Sequence, residues 1–437
     1  MCIQKKICDI MYKRTSERKE NGMIKNQTIE EIAKIIQNAG GRLYLVGGAV
    51  RDEMMKKSIV DEDYCVVGIS QEKFEKLFPK AILRGKDFAV YDIEGKEFAL
   101  ARKERKTGTG HKQFKIETDE TITIEEDLER RDITINSMAK DVLTGKIIDP
   151  YDGQKDMKER IIRKTTDAFS EDPLRVYRVA RFAAVFEFEV EEKTIEEMKK
   201  LKQELKSLPV ERVWNEFKKA LASNKPSLFF ETLRKADVLE VHFKEIYDLI
   251  GKIQPEKYHP EGDSYNHTMI VVDSSTKLTD KLEIRYSCLV HDLGKGTTPI
   301  EILPHHYGHE ERGEELVVNM GKRLKVPKLW TSCGKTAARE HMKGGKFHEM
   351  TPRKQVDFIE KVAKSRLGLS GMKIVVCCDK YRNGEYPKNV DFDKIGEKCI
   401  KEINGEYIKE KYHFQEGEEI YQKLHEERIY WLKNYYK

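Results

Sequence analysis

The chain is 437 residues long and 36 per cent of these are charged, yet the formal net charge is only +5. The length predicts about two to four folding units, and the near balance of charge permits RNA binding without arguing for it. No apolar run approaches the length of a membrane span, and the eight cysteines have neither a CxxC pair nor disulfide-like spacing, which excludes a membrane protein or a disulfide scaffold and predicts a cytoplasmic protein.

The first 22 residues lack the apolar core of a signal peptide, and we expect a disordered extension there, with Met23 as an alternative start. An amphipathic helix is predicted at residues 27–38, and strands and helices then alternate to about residue 165. Helices dominate afterwards, at residues 173–186, 191–205, 210–222 and 227–236, with a further set after His267. The pattern predicts an α+β architecture with a long helical remainder.

A glycine pair comes directly after the first predicted strand, residues 43–46. Gly47 and Gly48 allow the backbone to approach a ligand, and Ala49 opens a helix whose free amides favour anions. Arg51 falls in the first turn of that helix. A glycine pair after a strand is commonly only a turn, so its interpretation depends on the motifs further along the chain.

Three carboxylates come after the glycine pair. Asp61 and Asp63 alternate with Glu62 at the start of a second strand that continues to residue 67, so both project from one face. Glu97 begins the alternating run EFALAR, a predicted neighbouring strand, and is either a further ligand of the same ions or an exposed strand residue. Carboxylate oxygens in this arrangement suit Mg²⁺. The order of strand, glycine turn, arginine helix and Asp-x-Asp strand predicts a nucleotidyltransferase.

Further motifs complete a family pattern. In chain order the motifs are GGAVRD, DEDYCVVG, EFALARKE, RRDITINSMA, IIDPYDGQKDM, EDPLRVYRVARFAA, VERVWNEF at 210–217 and LVHDLGKG at 289–296. This set resembles the class II tRNA nucleotidyltransferases, the CCA-adding enzymes, and their poly(A) polymerase relatives, over nearly the whole chain. The resemblance implies a polymerase-β-like nucleotidyltransferase head at 23–165, an RNA-binding helical neck and body at 166–255, an all-α HD domain at 256–385 and a helical tail at 386–437.

The resemblance also implies a template-independent addition of CCA to tRNA with CTP and ATP. Asp61 and Asp63 would hold two Mg²⁺ ions that activate the tRNA 3′ hydroxyl and neutralise the triphosphate as pyrophosphate leaves in line. Gly48 and Arg51 would hold the phosphates. The acceptor stem and 3′ end of tRNA would be recognised by shape and phosphates rather than by sequence.

A basic pair opens the stretch RRDITINSMA, which lies after the capping box TIEE at 123–126. Arg130 and Arg131 are either solvated or held at the rim of an anionic site. In the family, Arg131 and Asp132 contact the sugar and triphosphate. Asp132 is suited to accept a hydrogen bond from the 2′-OH and so to favour ribonucleotides.

Base choice is implied to lie with Asp172 and Arg175, which are three apart on a predicted helix and so are expected to share a face. One acceptor carboxylate and one donor fork match cytosine and adenine, and leave unpaired buried groups against uracil and guanine. Arg178, one turn beyond Arg175, is implied to bind the nucleotide as well. The alternative is that Asp172 only caps the helix that begins after Pro173, and that Arg178 belongs to a solvated stripe.

The basic, glycine-broken segment 102–116 predicts a loop. As a bare loop it is a flexible surface, but in the family a loop in this region is needed to switch from C to A. Its full length favours complete CCA synthesis over CC addition. A poly(A) polymerase or a partial CC- or A-adding enzyme remains the alternative.

A second chemistry is indicated in the C-terminal half. His267, the pair His291 and Asp292, and Asp379 occur in the order of the HD phosphohydrolase pattern, which predicts a transition-metal site for Ni²⁺, Mn²⁺ or Co²⁺. Candidates of lower rank, from a histidine-rich loop and beyond, are His305, His306, His309 and His341. The fused HD domain favours a CCA-adding enzyme, because the poly(A) polymerases of the family generally lack it. A third possibility, an HD hydrolase whose head only binds RNA, is opposed by the intact Asp61 and Asp63.

The lysine-rich tail ends in the aromatic-basic run IYWLKNYYK. Such interleaving can stack nucleic acid, but we expect a helix with tyrosine and tryptophan on its packed face. The expected partners are tRNA, CTP and ATP, with no membrane, and the expected state is a monomer or a homodimer.

Overall fold

The computed structural model describes residues 27–59, 61–84, 89–106, 114–117, 119–413 and 418–436, with the backbone alone at 104–106, 114–117 and 418. These residues fall into two units. Unit 1 comprises the residues up to 104, with 116–129 and 136–151, and unit 2 comprises 105–115, 130–135 and 152–437. No helix in these described ranges has the length and apolarity to cross a membrane.

The described strands before residue 151 are arranged around one main sheet and a separate strand pair. They are β1 (Arg42–Val46), β2 (Asp63–Val67), β3 (Ile82–Leu83), β4 (Val90–Ile93), β5 (Lys96–Leu100), β6 (Lys103–Lys106), β7 (Phe114–Glu117), β8 (Ala139–Asp141) and β9 (Ile147–Ile148). Seven of them form a sheet in the order β3-β4-β5-β2-β1-β8-β9, and β6 pairs with β7 separately. The helices of unit 1 are α1 (Ile29–Asn38), α2 (Gly48–Met54), α3 (Gln71–Leu77) and α4 (Ile124–Glu129).

Helix α1 confirms the amphipathic prediction. It begins at a capping box in which Thr28 and Glu31 exchange side-chain and backbone hydrogen bonds. Ile32, Ala33 and Ile36 are buried along one face, and this face packs against β1. The helical spacing of these apolar residues therefore explains why the segment folds onto the sheet.

The register of the sheet brings the predicted carboxylates together at one end. β1 and β2 are antiparallel with Val46 opposite Asp63, and β2 and β5 are parallel with Asp63 opposite Glu97. Residues in register present their side chains to the same face of a sheet. The prediction of Glu97 on a strand next to β2 is thus confirmed. Asp61 lies two residues before β2 rather than within it.

From residue 152 onward, the described part of unit 2 is helical apart from the parallel pair β10 (Ile161–Ile162) and β11 (Glu189–Val190). Its helices begin with α5 (Gly153–Glu159), α6 (Arg175–Phe186), α7 (Glu192–Lys200), α8 (Lys202–Leu205), α9 (Val210–Leu221), α10 (Ser227–Lys235) and α11 (Leu239–Tyr247). They continue with α12 (Ser264–Ser275), α13 (Leu282–Val290), α14 (His309–Arg323), α15 (Lys328–Gly345), α16 (Pro352–Lys364), α17 (Gly368–Asp379), α18 (Phe392–Glu402), α19 (Gly405–Tyr412) and α20 (Glu418–Tyr435). The α+β class and the predicted succession of helices are confirmed.

The C-terminal helices share one hydrophobic core. Residues of α12, α13 and α15 to α18 meet there, and Leu432 of α20 is fully buried in it. Trp431 is partly buried and donates its Nε1–H to Glu402 Oε2 at 2.6 Å. Tyr430 and Tyr435 are 65% and 42% exposed, so the prediction of tyrosines on the packed face is wrong for these two. Leucine and tryptophan pack instead, because the helix turns the tyrosines outward.

Two sequence predictions concern segments that lie partly or wholly outside the described residues. The stretch 102–116, predicted as a loop, contains β6 and β7, because its ends pair as strands. Residues 107–113 between them lie outside the described residues. The predicted N-terminal extension at 1–22 and the alternative start at Met23 also lie outside them.

Candidate functional site

The glycine turn of unit 1 places an arginine beside it. Gly47 has φ +67°, which side chains rarely adopt, and α2 begins at the next residue. A Cβ on Gly48 would come 3.3 Å from Arg51 Nη2, so the guanidinium packs directly against this glycine. Arg51 is buried, donates from Nε and Nη2 to Asp52 Oδ1 at 2.9 and 2.8 Å, and donates from Nη1 to Asn136. The sequence predicted Gly48 and Arg51 together, but it missed Asn136, which lies in RRDITINSMA.

The three carboxylates lie at the adjoining ends of strands. Asp63 is the first residue of β2, Glu97 is its register partner on β5, and Asp61 precedes β2. All three are exposed, which leaves their oxygens accessible to a hydrated ion. Glu62, between the two aspartates, instead accepts a hydrogen bond from Tyr64 Oη at 3.1 Å and pairs with Lys96. Glu62 is thus held by neighbouring side chains, whereas the predicted projection of Asp61 and Asp63 from one strand face does not apply to Asp61, which precedes β2.

Asp132 and Arg178 of unit 2 are bound to each other. Arg178 Nε and Nη2 each lie 2.7 Å from Asp132 Oδ2, and Asp132 Oδ1 accepts the backbone N–H of Ile133 at 3.0 Å. The charge of Asp132 raises the pKa of Arg178, against the opposing effect of burial. The alternative of a solvated stripe is thus wrong for Arg178. Arg131 is half-buried next to Asp132 in the chain.

Asp172 and Arg175 do not share a helical face, which corrects the prediction. Asp172 has extended backbone angles, and α6 begins only at Arg175, after Pro173. Asp172 Oδ1 accepts the backbone N–H of Leu174 at 3.0 Å, as the capping alternative predicts, and Oδ2 accepts from Arg212 Nη2 at 2.9 Å. The reason is local, because proline disfavours a helical conformation in the residue before it.

Main-chain oxygens hold the guanidinium of Arg175. Arg175 Nη1 donates to Ala168 O at 2.6 Å and Nη2 donates to Arg130 O at 2.5 Å. One turn and a half further along α6, Arg181 Nε lies 2.5 Å from Glu216 Oε2. The sequence analysis missed the roles of Arg212 and Glu216, although both lie in the motif VERVWNEF. Their partners are about 35 to 40 residues away, so no local pattern identifies them.

Four predicted metal ligands converge in the second half of unit 2. They offer ligand atoms that all lie within 4.8 Å of one another, and they are His267, His291, Asp292 and Asp379. His267 Nε2 is 3.0 Å from Asp379 Oδ1, and His291 Nε2 is 3.2 Å from Asp292 Oδ2. They come from α12, the end of α13 and the last residue of α17. The convergence that the HD pattern predicts is confirmed.

Two of the lower-ranked histidines form a second group with Asp292. His309 and His341 place Nε2 at 3.4 and 3.3 Å from Asp292 Oδ1, and 3.4 Å from each other. All three are buried. Asp292 therefore presents one oxygen to each group, because its other oxygen faces His291.

The other two lower-ranked histidines lie outside both groups. His306 uses Nδ1 with Thr298 Oγ1 at 2.8 Å and Nε2 with Ile253 O at 3.1 Å, and burial lowers its pKa to about 4. His305 is exposed and stacks on Tyr307 at 5.4 Å. Burial rather than histidine density thus separates His309 and His341 from their neighbours.

The first group has lone pairs facing each other. His291 Nδ1–H donates to Cys288 O at 2.7 Å, so a neutral ring presents the Nε2 lone pair to Asp292. Neither His291 Nε2 nor either carboxylate oxygen of Asp292 makes a hydrogen bond within the described structure. Lys295 Nζ, 2.6 Å from Asp292 Oδ2, supplies one positive charge. Against its own burial, the negative charges of Asp292 and Asp379 raise the pKa of His291 to about 10.

Residues beyond the predicted ligands complete this cluster. Glu261 Oε1 accepts from His267 Nδ1 at 2.6 Å and from His259 Nδ1 at 3.0 Å. Lys295 also donates to Gln254 Oε1 at 2.7 Å. Lys295 lies within the motif LVHDLGKG and could have been predicted from it. Glu261 could not, because its position six residues before His267 matches no motif.

Sequence profiles of three families match the chain in succession. They are described as "Poly A polymerase head domain" at residues 43–163, "Probable RNA and SrmB- binding site of polymerase A" at 187–249 and "HD domain" at 264–363. The "Multifunctional CCA protein" of Pseudoalteromonas atlantica T6c is 39% identical over 404 residues, which is 89% of this chain and 98% of that protein. The protein of the same name from Legionella pneumophila strain Lens is 38% identical over 400 residues, 89% of this chain and 96% of that protein.

Solved structures show a similar fold. A CCA-adding enzyme in complex with ATP superposes with a TM-score of 0.63 at 20% identity, over 93% of this chain and 91% of that chain. The Thermotoga maritima CCA-adding enzyme complexed with tRNA gives a TM-score of 0.62 at 20% identity, over 93% and 92%. At this level of identity the similarity is one of fold.

Proposed function

Because the chain belongs to the class II tRNA nucleotidyltransferases, the CCA-adding enzymes, and carries a fused HD domain, we propose that it adds C, C and A in turn to tRNA 3′ ends from CTP and ATP. The observation that carries this proposal is the sheet register, which aligns Val46, Asp63 and Glu97 next to the glycine turn. The reaction needs free nucleotides and tRNA, so we place it in the cytoplasm. We expect a monomer or a homodimer.

Asp61, Asp63 and Glu97 are the proposed ligands of two Mg²⁺ ions. Bound Mg²⁺ would make the tRNA 3′ hydroxyl more acidic and neutralise the triphosphate as pyrophosphate leaves in line. The protein's part is to hold hard oxygen ligands at strand ends whose spacing the sheet fixes. Their exposure fits this role, since Mg²⁺ usually keeps several water ligands.

Arg51 and Gly48 are proposed to hold the phosphates. The guanidinium lies against Gly48, and Asp52 with Asn136 fixes its orientation. A fork that is already oriented loses less entropy when it binds phosphate than a free side chain does. Gly48 matters because a larger residue would push its Cβ toward the guanidinium.

Asp172 and Arg175 are proposed to select cytosine and adenine, although the two residues do not share a helical face. Leu174 and Arg212 orient the carboxylate of Asp172, and the main chain orients Arg175. A carboxylate has about four acceptor positions, so Asp172 can accept a base amine while it keeps these two bonds. Uracil and guanine present a carbonyl in place of that amine, which would oppose the carboxylate.

Arg131, Asp132 and Arg178 are proposed to contact the sugar and triphosphate. Arg178 donates to one oxygen of Asp132, and the other oxygen accepts the backbone of Ile133. These two contacts fix the carboxylate that would accept the ribose 2′-OH. Arg178 would carry positive charge to the triphosphate while it remains paired.

One assay tests this function against its alternative. Purified protein is incubated with tRNA lacking its terminal CCA, with CTP and ATP together and singly, and the 3′ ends are sequenced. Ends completed to CCA only when both nucleotides are present support the proposal. Ends extended by A alone would identify a poly(A) polymerase or an A-adding enzyme, and ends that stop at CC would identify a CC-adding enzyme.

For the HD domain we propose a transition-metal centre that hydrolyses phosphate esters. The donor set of imidazole nitrogens and carboxylates suits Ni²⁺, Mn²⁺ or Co²⁺, and the facing nitrogen of His291 and oxygens of Asp292 fit a cation between them. Asp292 faces both ligand groups, so the geometry supports two ions that share it. Bound metal would supply hydroxide near neutral pH. The proposed substrates are 2′,3′-cyclic phosphates and similar small esters.

Metal analysis and hydrolysis assays decide the HD proposal. Wild-type protein is purified without added metal, analysed for bound elements, and assayed on a 2′,3′-cyclic nucleotide with Ni²⁺, Mn²⁺, Co²⁺ and Mg²⁺ in turn. Hydrolysis that depends on a transition metal supports the proposal. Equal hydrolysis with and without a chelator would show that the cluster has another role.

A further inference from the structure

The two ligand groups contain four histidines, and one of them differs from the rest in the residue that accepts the hydrogen bond from its Nδ1. Three use Nδ1 to donate to main-chain carbonyls: His291 to Cys288 O at 2.7 Å, His309 to His306 O at 2.8 Å, and His341 to Ala337 O at 3.1 Å. His267 Nδ1 instead donates to the carboxylate of Glu261 at 2.6 Å. A carboxylate partner makes the opposite ring nitrogen a stronger ligand than a carbonyl partner does.

Glu261 is itself held in place. Its side chain is 8% exposed, it accepts a second hydrogen bond from His259 Nδ1 at 3.0 Å, and Arg382 Nη2 lies 3.6 Å from the same oxygen. Arg382 Nη1 also donates to Asp379 O at 2.8 Å. The partner of one ligand, His267, is thus tied to the backbone of another, Asp379. Ligands fixed in this way need little reorganisation when an ion binds.

The two ligand groups are unequal in composition as well. The first offers four residues, of which Asp292 and Asp379 are anionic, and Glu261 adds a nearby negative charge. The second offers only the shared Asp292 with His309 and His341. Both the number of ligands and their total negative charge favour a divalent cation in the first group.

We propose that Glu261 is a positioning residue that fixes the order in which the centre fills. An ion held by His267, His291, Asp292 and Asp379 binds first and tightly, and an ion held by Asp292, His309 and His341 binds second and exchanges more readily. This inference rests on the proposed metal centre of the HD domain. It adds a residue outside the ligand set and a difference between the two ions.

The chain offers a matched control for Glu261. Glu310 Oε2 lies 3.4 Å from His309 Nδ1, but that nitrogen already donates to His306 O at 2.8 Å, and Glu310 is 28% exposed. Glu310 therefore lies beside the ligand histidine His309 but does not orient its ring. Glu310→Gln removes the same charge as Glu261→Gln near the second group rather than the first.

Direct metal binding tests the inference. Full-length protein is stripped with a chelator and titrated with Ni²⁺ by calorimetry in excess Mg²⁺, which occupies an oxygen-only site in preference to a nitrogen-rich one. Wild type is expected to show two classes of Ni²⁺ binding. Glu261→Gln keeps a neutral acceptor and should weaken the first class about 10-fold, and Glu261→Ala should weaken it by up to about 100-fold. The second class should be unchanged, and Glu310→Gln should leave the first class as in wild type.

The possible failures are distinct. Absence of tight Ni²⁺ binding to wild type overturns the metal centre and this inference with it. Two binding classes in wild type, with the first class unchanged in both Glu261 variants, overturn only the role of Glu261. An equal loss in both classes also overturns it, because Glu261 would then support the whole site. Circular dichroism and nucleotide addition are measured on each variant, and both should match wild type.

Discussion

Charged groups are arranged differently in the two polar regions of unit 2. In residues 130–216, three acidic side chains each form an ion pair with an arginine. The pairs are Asp132 with Arg178, Asp172 with Arg212, and Glu216 with Arg181. At the HD cluster, two aspartates face histidine nitrogens that carry lone pairs, and Lys295 supplies one compensating charge. These three acids of the first region are therefore balanced by the protein without a ligand. The second is complete only when protons or metal ions are added.

This difference fits what each region is proposed to bind. A nucleotide that comes and goes requires a site that stays folded when empty, and internal ion pairs provide that. A resident metal ion is part of the structure, so the ligand atoms that face it need little compensating charge from the protein. Substitutions in both regions can test it, and substitutions of the carboxylates that are proposed to bind Mg²⁺ in unit 1 should have the largest effect on nucleotide addition.

Asp63→Ala should reduce nucleotide addition by roughly 10³-fold or more, because it removes a charged ligand of the proposed Mg²⁺ ions. Asp61→Ala should do the same. HD hydrolysis should survive in both, since the two sites use different ligands. Incorporation of labelled CTP into truncated tRNA and hydrolysis of a cyclic nucleotide are measured on the same preparations.

The control for this experiment lies between the two aspartates. Glu62→Ala removes a carboxylate that contacts Tyr64 and Lys96, so addition should remain within a few-fold of wild type. More than a few per cent of residual addition in Asp63→Ala would contradict the two-metal assignment. Equal losses in Glu62→Ala and Asp63→Ala would point to a general electrostatic effect instead.

Asp292→Asn should lower HD hydrolysis by at least about 100-fold, because one residue supplies an oxygen to both ligand groups and its charge is lost with little change in size. Bound metal should fall with it, and CCA addition should be retained. Elemental analysis and hydrolysis with Ni²⁺, Mn²⁺ and Co²⁺ measure the two effects. Asp280→Asn, at a fully exposed aspartate, serves as the control. Equal metal content and equal hydrolysis in Asp292→Asn and wild type would make the HD motif structural.

Arg175→Ala should reduce the use of CTP and ATP together, by about 100-fold in kcat/KM, which corresponds to about 2.7 kcal/mol. The reason is that a charged donor fork is lost from both recognition events. Steady-state assays with each nucleotide and thermal unfolding are the measurements. Wild-type selectivity in a merely less stable protein would favour a structural role for Arg175, whose contacts with Ala168 and Arg130 are to the main chain.

The sequence predicted features that depend on local pattern. The amphipathic helix at 29–38, the glycine turn and the strand of Glu97 arise from apolar periodicity and from residue type within a few positions. The prediction that Asp172 lies on the helix of Arg175 was wrong, because proline disfavours a helical conformation in the residue before it. That error is also local in origin, and the capping alternative had identified it.

Partners far apart in the chain were not predictable. Glu261 and His267 are close in sequence, but nothing marks Glu261 as an orienting acid until His267 is placed against Asp379, more than a hundred residues away. His309 and His341 rank with His305 and His306 by composition alone. Only packing shows that the first two are buried beside Asp292. Motifs thus name the residues of a site, while their electrostatic partners emerge from the fold.

The pair of Asp172 with Arg212 gives the smallest expected effect and the sharpest test of the contrast. Arg212→Met removes the cation but keeps an apolar stem, so Asp172 retains its bond from Leu174 and loses its second restraint. Freed to rotate, the carboxylate should discriminate less well, and the preference for CTP over UTP should fall about 10-fold with little change in stability. Arg212→Lys, which restores a single charged donor, should recover part of the preference. If the Met variant keeps wild-type discrimination, Arg212 does not orient Asp172, and the ion pairs of this region serve folding rather than base choice.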